Sequence, residues 1–173
     1  MANHYYLPVI VSEKDKVNYL NHIIDVESEI KFMEWLEEHI QKENNIFGQF
    51  DWWMFSKLDE TIDEVHIPYY GPKENAPAKF KPDFIFWMQK GNDYLILFID
   101  PKGTEHTDGY RKIDGYSKIF ETEKEKESKI FPFNGLNIKV KLLLKPGKSI
   151  AETLENYKKY WFDNFSDFEN KIK

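Results

Sequence analysis

The 173-residue sequence contains no cysteine. That absence removes thiolate nucleophiles, zinc–cysteine centres and disulfide staples together, and it fits a reducing cytoplasm. No apolar run approaches the ~18 residues of a membrane-spanning helix, and the N-terminus lacks the basic-then-apolar order of a signal peptide. The expectation is a soluble cytoplasmic protein. Histidine is sparse: His4, His22, His39, His66 and His106 are scattered without metal-ligand spacing, so each reads as a packing or surface residue. Positive charge is not in surplus either, since the formal net charge is -6. A chain that grips DNA unaided usually presents a basic surface, because released counterions drive binding. A phosphate loop is also missing. Lys145-Pro146-Gly147-Lys148-Ser149 imitates one, but Leu142 stands where the loop requires a glycine.

What is present is aromatic. Aromatic residues make up 17% of the chain and recur from Tyr5 to Phe168, and apolar residues make up 41%. That is enough for one buried core and nearly continuous order, so residues 1–173 are expected to form a single domain. Tyr5 to Ser12 reads as an early strand. From Asp25 to Gln41 the apolar positions Val26, Ile30, Met33, Leu36 and Ile40 recur at helical spacing, and Asn44 to Gly48 ends that helix. Asp51 to Ser56 and Val65 to Tyr70 read as strands, with Pro68 marking an edge or kink, and Gly71 to Pro77 as a loop. Phe84 to Met88 and Tyr94 to Ile99 are apolar on both faces, as in a sheet covered on both sides. A helix is expected from Asp108 to Ser128, its tail a solvated mixed-charge stretch. Leu136 to Leu144 alternates like a half-exposed strand. A last helix opens with Ser149 and Glu152 in capping-box spacing and carries Ile150, Leu154, Tyr157 and Trp161 on one stripe. The resulting order, αβββαβ with extra pieces at each end, predicts an α/β domain with a mixed central sheet.

The chemistry concentrates in Phe80 to Gly103. Alternation puts Asp100 and Lys102 on one face of a strand. If Gly91 and Asn92 form a two-residue turn, Lys90 faces Asp93, and the same register carried back sets Asp83 opposite Asp100. Their Cβ atoms would then lie about 4.5–5.5 Å apart. Two carboxylates so close repel unless a cation sits between them. Magnesium suits the place, since it takes carboxylate, carbonyl and water oxygens. Lys102, next along the face, could orient or deprotonate an attacking water, or neutralise phosphate charge. The first helix supplies candidates for a third acid. Glu29 and Glu37 fall within its apolar face, whereas Glu27, Glu34 and Glu38 point away; Glu29 is preferred, with Glu37 in reserve.

Pro82-Asp83 followed by Asp100-Pro101-Lys102 resembles the PD-(D/E)XK nuclease pattern, with Asp where Glu often stands. SEIKFMEWLEEHI, WWMFS, IPYYGP, FKPDFIFW and FIDPKGTEH together resemble the C-terminal endonuclease domain of type III restriction subunits and related DEAD/DEAH-box helicase proteins. The resemblance runs from Tyr5 to Leu144. It implies a restriction-endonuclease-like αβββαβ core, a mixed sheet flanked by helices, and magnesium-dependent DNA hydrolysis leaving a 5′ phosphate, with manganese as a substitute. It implies Asp83, Asp100 and Lys102 as active residues, and a helical glutamate matching Glu29 that joins both aspartates at the metal. Such proteins carry an ATP-driven motor for which this chain has no room. A helicase or ATPase motor domain, or a modification subunit, is therefore the expected partner, and the chain reads as part of something larger. Cutting both strands would call for a homodimer, since one site cuts one strand at a time. The competing expectation is a non-catalytic module that keeps the fold for DNA docking or subunit assembly. TEHTD, after Lys102, serves as a DNA contact or a plain polar loop.

Overall fold

The computed structural model describes residues 2–5, 24, 26–58, 63–71, 75–101, 109–124, 126–145 and 155–172. The early strand was expected at residues 5–12; only Tyr5 of it is described, and it forms a parallel bridge to Phe55.

Helix α1 spans Glu27–Ile40. It has no side-chain cap at Val26, but Glu27 and Glu29 lie in its first turn, where the helix dipole favours negative charge. Its buried stripe of Phe32, Met33 and Leu36 packs on the sheet. Asn45 closes the other end: its amide donates to the carbonyls of Ile40 and Lys42, and its oxygen accepts from Gly48 N in the following 3-10 turn, Ile46–Gln49.

Five strands form the central sheet: β1 (Trp52–Lys57), β4 (Phe84–Lys90), β5 (Asp93–Asp100), β6 (Phe131–Phe133) and β7 (Leu136–Leu144), in the order β1-β4-β5-β7-β6. All neighbours are antiparallel except β5 and β7, so the sheet is mixed. The parallel step requires a crossover, which helix α2 (Gly109–Phe120) provides. The β4–β5 hairpin turns on Gly91 and Asn92. Gly91 takes a φ of 56°, which its missing Cβ permits, and its N–H donates to Asp51 Oδ2 at 2.6 Å. Lys90 pairs with Asp93 and Phe84 with Ile99, the register anticipated from sequence.

Each sheet face is covered. On one side α1 and helix α3 (Phe165–Ile172) enclose Phe55, Phe84, Phe86, Leu97 and Ile99. On the other, α2 and a separate two-stranded sheet, β2 (Ile67–Gly71) with β3 (Ala76–Phe80), enclose Ile85, Phe98, Val140 and Leu142. The molecule is an α/β fold with a mixed five-strand sheet flanked by helices.

Four expectations need correction. Ala76 and Pro77 open strand β3 rather than closing a loop; Ala and Pro are weak strand formers, and Pro77 is tolerated because this is an exposed edge. Strand β6 was not foreseen, although Asn134-Gly135, both at positive φ, is a hairpin signal. Helix α2 stops at Phe120, because Glu121 turns inward and bridges Ser128 instead of joining a solvated tail. The proposed last helix starts in residues 149–154, outside the described residues. Glu155–Tyr160 is a 3-10 turn, Trp161 bridges Leu144 of β7, and α3 follows, so Tyr157 and Trp161 share no helical stripe.

Candidate functional site

The end of the sheet where β1 and β5 finish and β4 begins gathers the candidate residues. Asp100 is the last residue of β5, and Asp83 immediately precedes β4. Phe84 pairs with Ile99, so the two aspartates are the next opposed pair. Both backbones are held from the flanking strands. Leu58 N donates to the Asp83 carbonyl at 2.8 Å, and Lys145 N donates to the Asp100 carbonyl at 3.0 Å. Both residues are buried, at 7% and 8% exposure. This is also the C-terminal end of the parallel pair β5–β7, the edge at which open α/β sheets bind ligands.

Alternation assigns the faces. Asp100 follows Ile96 and Phe98 onto the α2 side, and Asp83 continues the series of Ile85 and Trp87 on that side. Lys57, at the end of β1, follows Trp53 and Phe55 onto the α1 side. There its ammonium meets Glu29 Oε2 at 2.5 Å, with Glu29 only 1% exposed. Sequence reasoning selected the acid that the fold buries: Glu37, the reserve, is exposed, as are Glu27, Glu34 and Glu38. It missed Lys57, whose pairing with Glu29 spans 28 residues and leaves no periodic trace. The structure thus brings Asp83 and Asp100 together and turns Glu29 to Lys57. Among the described residues, no three His, Asp or Glu side chains gather to hold one ion. Lys102 and the TEHTD segment fall outside the described residues.

A second polar centre lies behind α2. Buried Glu121 accepts from Lys159 Nζ at 2.8 Å, Tyr160 Oη at 2.7 Å and Ser117 Oγ at 2.8 Å. Burial raises the Tyr160 phenol well above its ordinary pKa, and its bond to Glu121 adds to that, so it remains a proton donor. Every carboxylate oxygen in this group has a donor, and the group ties the end of α2 to the 3-10 turn. No sequence pattern announces it.

Residues 20–168, most of the chain, match the YagJ family. The chain belongs to the YagJ family. Asp83, Asp100, Glu29 and Lys57 of this YagJ-family chain all lie inside the matched span. Neither curated proteins nor solved structures include a match to it. No helix among the described residues is long and apolar enough to cross a membrane.

Proposed function

We propose that this chain is a magnesium-dependent DNA endonuclease domain of the PD-(D/E)XK type, with a restriction-endonuclease-like core, working with a helicase-type motor or modification subunit. One observation carries the reading: the β4–β5 register sets Asp83 and Asp100, the acids of the Pro82-Asp83 and Asp100-Pro101-Lys102 motifs, at one sheet end, opposed and buried. The element order supports it. With the side sheet β2–β3 and the edge strand β6 set aside, α1, β1, β4, β5, α2 and β7 follow one another as αβββαβ.

The donor set fits a hard divalent cation, since opposed carboxylates lose their mutual repulsion when they share one. Bound magnesium or manganese would supply charge to polarise the scissile phosphate and acidify a water. Asp83 and Asp100 would hold that ion, and the hydrogen bonds to their backbone carbonyls keep the two residues in place. Lys102 donates to the attacking water or to a phosphate oxygen, offsetting charge that grows as the phosphorus–oxygen bond forms. Glu29 is the third acid of the expected set, and its ion pair makes it the discriminating residue. As a ligand, Glu29→Gln would weaken metal binding. As a structural partner of Lys57, the same change would lower stability and leave metal binding intact.

The competing reading, a docking or assembly module without cleavage, draws on the net charge of -6 and on the commitment of Glu29 to Lys57. Plasmid and single-stranded DNA incubated with magnesium or with chelator separates the two. We expect cleavage only with metal, abolished in Asp83→Asn and Asp100→Asn, which also lose the metal-binding heat in calorimetry. Lys102→Ala should bind metal as well as the parent while cleavage falls by about two or more orders of magnitude. Metal-binding heat unchanged in both aspartate variants would remove the ligand assignment. A folded, metal-binding protein that cuts nothing would favour the docking module.

A further inference from the structure

Away from the aspartates, a cleft of about 720 Å³ opens beside β7. Beyond Ile138 the strand has lost its pairing with β6, and Trp161 does not meet it until Leu144, so the backbone between faces this cleft. Lys90, Lys126, Lys139, Lys141, Lys159 and Lys171 line it, against Asp93, Glu121 and Glu127. This is a local surplus of positive charge in a chain of net charge -6.

The acids that are present do not neutralise the lysines of the strand. Glu121 is taken by Lys159, Tyr160 and Ser117, and Asp93 lies against the Asn137 amide. Lys171 reaches Asp167 at 3.7 Å. Among the described residues, neither Lys139 nor Lys141 has a carboxylate within salt-bridge distance, and Lys141 Nζ donates to the Lys171 carbonyl at 2.7 Å. Burial, helped by Lys139 nearby, lowers the pKa of Lys141, so holding this cation here costs folding free energy. A half-buried ammonium held by one carbonyl and no acid is suited to receive an anion. Lys139 and Lys141 share one face of β7, about 7 Å apart along the strand. That spread suits successive phosphates better than one compact ion. Phe50, which packs on the α1 side of the sheet like Lys139 and Lys141, also lines the cleft and gives a base aromatic surface on which to stack.

We propose that this cleft binds the sugar-phosphate backbone of a single nucleic-acid strand, with Lys139 and Lys141 as its central phosphate contacts. The proposal is independent of whether Asp83 and Asp100 cut. The test is fluorescence anisotropy of a labelled single-stranded oligonucleotide with the full chain in chelator, where the metal site cannot act. Binding should weaken with salt and drop at least tenfold in Lys139→Ala and Lys141→Met. Lys141→Met should also match or exceed the parent in Tm, because it removes the desolvated charge. Unchanged binding in both lysine variants would overturn the proposal. So would competition by pyrophosphate with no binding of the oligonucleotide, which would make this a site for a small phosphate compound. A Lys141→Met protein with a markedly lower Tm would show that the lysine is structural, and would equally overturn its role.

Discussion

His39 shows how one side chain can carry a pH dependence. Its ring is buried near the end of α1, stacked on Phe165 at 3.4 Å, with Nε2 2.9 Å from Glu169. Burial disfavours the imidazolium and Lys42 adds to this, while Glu169 opposes both; burial wins, and the pKa falls below its ordinary 6.5. The unfolded chain therefore binds the proton more readily than the fold does. Stability from the neutral ring is complete above pH 6.5 and is lost as pH drops from there towards the depressed folded value. Thermal melting from pH 8 to 5 should show the parent losing a few degrees more than His39→Phe. Parallel curves for the two proteins would mean that the ring's protonation does not matter to the fold. Composition could not have told this histidine from the other four, because its environment comes from a helix more than 120 residues away.

At the scale of elements, Gly115 sets two general tendencies against each other. Replacing a mid-helix glycine by alanine ordinarily stabilises by about 1 kcal/mol. A Cβ on Gly115 would lie 2.8 Å from Tyr69 Cβ and collide with the Pro68 carbonyl, because α2 packs directly on β2 there. Backbone cannot retreat as a flexible side chain can, so the clash should win. Gly115→Ala is expected to lose about 1–3 kcal/mol in urea unfolding, and a stabilised variant would refute this close packing. The same contact explains why parts of the fold were legible and others were not. The β4–β5 hairpin could be read to the residue, because two apolar runs flank a short Gly-Asn turn, and its register placed Asp83 against Asp100. Strand β3 was hidden, since AlaProAlaLysPhe has little intrinsic strand preference and pairs only because α2 and β2 hold it. Glu29 could be found from helical phase. Lys57 could not, because which β1 side chain meets α1 depends on how the helix crosses the sheet.

Over the whole molecule, charge is distributed unevenly, and this governs how nucleic acid could approach. A net charge of -6 repels a polyanion at long range, while six lysines draw it in within the cleft. At physiological salt the Debye length is about 8 Å, so the repulsion is largely screened at a distance and contact is decided locally. Four of the lysines, Lys90, Lys126, Lys139 and Lys141, have no carboxylate partner among the described residues and can each release a counterion from a bound strand. For single strands the slope of log affinity against log salt is about -0.7 per phosphate neutralised, so about -3 is the steepest slope this cleft can produce. Duplex DNA keeps its bases stacked within the helix and offers none to Phe50, so it should bind more weakly than a single strand. A salt titration with single-stranded and duplex oligonucleotides of equal length, in chelator, reads both quantities. A slope much steeper than -3, or tighter binding of the duplex, would require more phosphate contacts than this cleft supplies, and would place the grip on DNA elsewhere.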